Sequence, residues 1–113
     1  MTIASFTKNK IFNDEKITVQ LILETSFSKE IRILLKEGQV MKEHQAPLPI
    51  IVHILEGKID FGIKGEVQQL QKGDLIALKA RVPHDLHAKE NSVVRLSLSK
   101  LDSAERVQQV IQN

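Results

Sequence analysis

The sequence predicts an all-β domain, an antiparallel sandwich or barrel, on three observations. Short apolar segments alternate with polar residues at a period of two, glycine- or proline-containing turns separate most of them, and no helical pattern lies between the strands. A parallel α/β fold needs helical crossovers, so it is disfavoured.

From Lys16 to Glu24, Ile17, Val19, Leu21 and Leu23 fall on one side and Thr18, Gln20 and Glu24 on the other, the mark of a half-buried strand. Thr25, Ser26 and Ser28 make a turn, and a second strand from Glu30 to Lys36 alternates Ile31, Ile33 and Leu35 with Arg32 and Lys36 before Gly38 ends it. A short strand over Val40 to His44 precedes Ala46-Pro47-Leu48-Pro49, a rigid loop or sheet edge, because proline donates no ladder hydrogen bond. The next strand, Ile50 to Glu56, is apolar on both faces, so both are expected to be covered.

Gly57 leads into Lys58 to Lys64, where Ile59, Phe61 and Ile63 share a face, and Lys64-Gly65-Glu66 turns the chain into Val67 to Gln71. Gly73-Asp74 makes another turn before Leu75 to Lys79. A strand carrying His84, Leu86 and Ala88 and a last one from Ser92 to Ser99, with Val94, Leu96 and Leu98 aligned, bring the count to eight or nine. Only the tail differs: Asp102 caps and Ala104, Val107, Val110 and Ile111 recur at helical spacing, which predicts a short docked helix over 103–112.

At 113 residues and 42% apolar composition, the chain suits one domain with one core. With 16 basic and 14 acidic side chains interspersed, the net charge of +2 leaves no basic stripe of the kind nucleic acid requires. There is no cysteine, so disulfides, thiolate ligands and thiol nucleophiles are excluded. No apolar run approaches a membrane span, and Met1 to Lys10 lack the apolar core of a secretory signal; a cytoplasmic protein without membrane or nucleic-acid partners is expected.

Two spaced patterns carry the functional reading. Gly38, His44, Ala46, Ile50 and Gly57 follow at intervals of five, one, three and six intervening residues, and Gly73, Lys79, Arg81, His84 and Ala88 at five, one, two and three. This spacing resembles the two motifs of the cupin superfamily, the first with two histidines and a glutamate between glycines, the second with glycine, proline, glycine, histidine and asparagine. The resemblance covers roughly residues 35–98, and Val52 to Asp60, Gly73 to Leu75 and Val82-Pro83-His84 are similar to the core of small single-domain bacterial cupins. It implies an RmlC-like jelly-roll barrel occupying residues 1–113 as a single domain, with N-terminal strands in 16–36, and a metal site of three histidines and a glutamate.

His44 and His84 stand at two of those four ligand positions, while Ala46 and Ile50 stand at the others. Two imidazoles fall short of the three protein ligands of a catalytic divalent ion. His53 is a third ligand only if a bulge after Pro49 turns it inward, because in an unbroken strand it lies opposite Ile50. Otherwise His44 and His84 are barrel-mouth residues hydrogen-bonded to each other, to water or to backbone. Glu43 and Asp85, next to the inward histidines, face outward by alternation, and Lys79 and Arg81 are charges near the mouth that attract an anion or are simply solvated.

Ala46, Ile50 and Val52 are expected to line an apolar pocket around the two histidines. Without tyrosine or tryptophan, sugar stacking is disfavoured. Two functions follow: a homodimeric cupin that holds a small molecule in its barrel with a degenerate metal site, or a metal-dependent oxygenase or isomerase using Mn, Fe, Ni or Zn on His44 and His84. No catalytic residue is assigned. The exposed faces of Ile50 to Glu56, with Ile22 and Leu34, are the expected dimer surface.

Overall fold

The computed structural model describes residues 1–101 together with Val107, Gln108, Val110 and Ile111. Nine strands follow in order: β1 Thr18–Glu24, β2 Ser28–Leu35, β3 Val40–His44, β4 Ile50–Glu56, β5 Lys58–Ile63, β6 Glu66–Gln71, β7 Leu75–Leu78, β8 His84–Ala88 and β9 Ser92–Ser99. They form two antiparallel sheets, β1-β2-β9-β4-β7 and β3-β8-β5-β6. The expected barrel is therefore a two-sheet sandwich: among the described residues no strand ladder closes it into one cylinder. The helix expected over 103–112 falls largely outside the described residues; of its apolar positions Val107 packs in the core, with Val110 and Ile111 against it. No helix among the described residues is long and apolar enough to cross a membrane.

Alternation decides what enters the core. In β4, Ile50, Val52 and Ile54 are buried while Ile51 and His53 face out; in β9, Val94, Leu96 and Leu98 turn inward and Arg95, Ser97 and Ser99 outward. Ile59 and Phe61 of β5 with Leu86 and Ala88 of β8 complete the opposing wall. Strict alternation fails in β1, where a register shift between Leu21 and Leu23 moves Leu23 to the face of Glu30, so the run from Ile17 to Leu23 does not share one side.

The outer face of β2 is unusual in being buried. Glu30, Arg32 and Leu34 all point away from the core, yet Leu34 is 1% and Arg32 3% exposed. The N-terminal segment lies against Arg32, whose guanidinium donates to the carbonyls of Phe6 (3.3 Å), Lys8 (2.8 Å) and Asn9 (3.2 Å), and to Gln20 Oε1. Lys10 then pairs with Glu56 at 2.7 Å at the far end of β4. Leu34 is accordingly unavailable as the exposed dimer surface that the sequence suggests.

Gly57 ends β4 with φ at 91°, and a Cβ there would lie 2.7 Å from Ser92 Cα and closer still to Ser92 Oγ. Only glycine fits this approach, because backbone as well as side chain blocks the space.

Candidate functional site

His44 reaches the interior by a bulge. Met41 is buried opposite Leu86, so simple alternation would send His44 outward; a register shift between Met41 and His44 instead sets His44 directly across from His84. Such a bulge re-aims one side chain at a sheet rim. The His44 Nδ1 lies 2.7 Å from the Lys42 carbonyl, on the bulge itself, and the His84 Nδ1 lies 2.9 Å from the Val82 carbonyl. A carbonyl can only accept, so each Nδ1 carries a proton and donates it to the backbone, which fixes the orientation of both rings.

The two rings stand 4.3 Å apart between centroids, tilted by 58°. Phe61, diagonal to His84 across β5 and β8, stacks on it at 5.4 Å with the planes 5° apart. His84 is thus held between a phenyl face and a second imidazole, and it is 3% exposed.

Ala46, Ile50 and Val52 line a cavity with this pair, each no more than 5% exposed. Together with Met41, Leu86, Leu96 and Val107 they enclose a cavity of about 20 Å³. That volume is about one water molecule, where a drug-sized ligand site is roughly 300 to 1,000 Å³. The walls contributed by Met41, Leu86 and Val107 are not readable as site residues from sequence, since each follows only the ordinary apolar pattern of its segment.

His53 does not join the pair. β4 pairs with β7 without a slip from Ile50 to His53, so no bulge follows Pro49 and His53 lies on the outer face, between Leu75 of β7 and Arg95 of β9. Glu43 is exposed, and Asp85 sits outside the sandwich against Gly62, 3.4 Å from His87 Nε2. Among the described residues no three His, Asp or Glu side chains come together as a metal site, and no buried side-chain nitrogen or oxygen lacks a hydrogen bond. The donor set does not fit a tightly held divalent ion: two imidazoles are present, and methyl groups occupy the places of the other ligands.

Lys79 and Arg81 are exposed at the rim. Arg81 has φ at 64°, a left-handed conformation at the position where the second cupin motif has glycine, and its N–H donates to the Ala46 carbonyl at 2.7 Å. A left-handed backbone at this position is one that glycine adopts without strain.

Residues 31–100 match the cupin domain family. The chain belongs to the cupins. Its fold is that of an RmlC-like cupin from Desulfovibrio desulfuricans, with a TM-score of 0.80 at 20% identity over 88% of this chain and 96% of that one. TT1209 from Thermus thermophilus is similar, with a TM-score of 0.76, 18% identity and coverage of 88% and 98%. KdgF from Halomonas sp. matches at 0.68 and 21% identity, covering 76% of this cupin and 82% of KdgF. No match is found among the curated proteins.

Proposed function

We propose that this cupin is a binding protein that holds a small, partly apolar molecule between its sheets without a resident metal. The observation that carries the reading is the replacement of two ligand positions by buried Ala46 and Ile50 beside two histidines whose rings are oriented by Nδ1–H donation to backbone carbonyls. Two oriented imidazoles in an apolar wall suit a hydroxyl or amide group on a small apolar body, which would take its orientation from them. Because the cavity holds about one water, larger guests require the Val107 side chain to yield.

The test is a titration with a series of alcohols from methanol to cyclohexanol, read from the imidazole ¹⁵N resonances. A saturable shift at His44 and His84, with preference moving to larger alcohols in Val107→Ala, supports the reading. No saturable shift with any member refutes it.

A second reading, a metal-dependent oxygenase or isomerase, is favoured by one observation: Nδ1–H donation to backbone carbonyls is also how proteins orient metal-binding imidazoles. Metal analysis separates the two readings.

A further inference from the structure

We propose a second binding site, for a small monocarboxylate with an apolar body, in an open groove on the outer face of the five-stranded sheet. The groove encloses about 480 Å³, within the size of small-molecule sites and far larger than the interior cavity. Its floor is a register row of Glu30, Ser97, Ile51 and Ala77 contributed by β2, β9, β4 and β7. Phe27, 75% exposed, and Ile51, 43% exposed, supply apolar surface that the protein itself leaves uncovered.

The head of the site is Arg95. In the next register row Arg32, Arg95 and His53 follow one another across β2, β9 and β4, all on the outer face. Arg32 is turned to the carbonyls of the N-terminal segment, leaving Arg95 as the basic group that lines the groove. Its orientation is fixed from two sides: Nε donates to Glu30 Oε1 at 2.9 Å, and the guanidinium carbon lies 5.9 Å from the Phe6 ring centre.

Glu30 accepts through one oxygen from both Arg95 Nε and Ser97 Oγ. It therefore engages only one edge of the fork, and among the described residues the two Nη groups of Arg95 have no hydrogen-bond partner. A pre-oriented guanidinium edge is the geometry that receives a carboxylate through two parallel hydrogen bonds. Arg95 and Glu30 cancel each other, and the adjacent Arg32 cation, which no carboxylate pairs among the described residues, leaves the head of the groove with a net positive charge, while the apolar row beyond it accepts an aliphatic chain.

The experiment is calorimetric titration of the full chain with hexanoate, with hexanamide as the uncharged control. Hexanoate is expected to bind at least about tenfold more tightly than hexanamide, in line with a charge-assisted pair. Arg95→Gln should remove that preference and His84→Gln should not. Should Arg95→Gln fail to fold, Ile51→Glu and Ile51→Lys decide: both lose the same apolar surface, but the first places a negative charge in the groove floor and should bind hexanoate about tenfold more weakly than the second.

Equal affinity for hexanoate and hexanamide, or no binding by either, overturns the proposal. So does a carboxylate lost with His84→Gln but kept with Arg95→Gln, which would place it between the sheets. A dimer that Ile51→Glu converts to monomer would show this face to be covered by a second copy and would overturn the proposal equally.

Discussion

Replacing Arg32 by methionine keeps an unbranched apolar stem of comparable reach and removes the guanidinium. In the native protein that group is 3% exposed and satisfied by three main-chain carbonyls of residues 6–9 and the Gln20 amide oxygen, with no carboxylate among them. Hydrogen bonds to charged groups each contribute about 1.5 to 3 kcal/mol, but burying the cation costs several kcal/mol in return. The released carbonyls lie on an exposed segment and regain water, so a net loss of about 3 kcal/mol is expected rather than the sum of the bonds.

Urea unfolding measures that loss, and hydrogen exchange shows where it acts. Amides that the N-terminal segment shields on β2, including those of Arg32 and Leu34, should exchange faster, and the Phe6 ring should leave Arg95. A stability change under about 0.5 kcal/mol with unaltered exchange would refute the claim that Arg32 secures the segment.

Gly57→Ala should destabilise by about 3 kcal/mol, combining a left-handed φ with a clash against Ser92 backbone, as read from thermal or urea unfolding. Arg81→Gly should be neutral to stabilising, by up to about 1 kcal/mol, since relief of the left-handed strain offsets the added freedom of the unfolded chain. Burial pushes the Glu30 carboxyl up, but hydrogen bonds from Ser97, Arg95 and Ser28 together hold it below its usual value. A depressed folded pKa contributes stability above the unfolded value of about 4.3 that is lost as pH falls through the folded one, so Glu30→Gln should flatten the acid limb of the stability profile. Val107→Ala should cost about 2 kcal/mol and enlarge the cavity at His84, seen as increased xenon uptake in a crystal.

The strands were legible because most of their apolar residues keep a strict period of two, as Ile50, Val52 and Ile54 do against Ile51 and His53. Where a bulge interrupts that period, reading by alternation fails: Leu23 changes face in β1, and the inward turn of His44 depends on a shift that its own segment does not announce. The motif spacing singles out His44 where alternation within its own segment does not, because a position counted from glycine to glycine is unaffected by which face the strand presents. Leu34 escaped prediction for another reason. It lies on the outer face beside Arg32, which a distant segment engages through main-chain carbonyls that carry no side-chain signature, so burial on that face is not readable from the strand itself. The size of the cavity was equally invisible, since it depends on how closely Val107 and Met41 approach rather than on which residues are apolar.

Whether Ala46 and Ile50 leave this cupin without a resident metal is decided by metal stoichiometry. The purified chain is equilibrated in turn with Mn, Fe, Ni and Zn, desalted, and analysed by mass spectrometry alongside His44→Ala and His84→Ala. Far less than one ion per chain is expected in every case, with no difference between wild type and variants. One ion per chain in the wild type, lost in both variants, would contradict the metal-free reading.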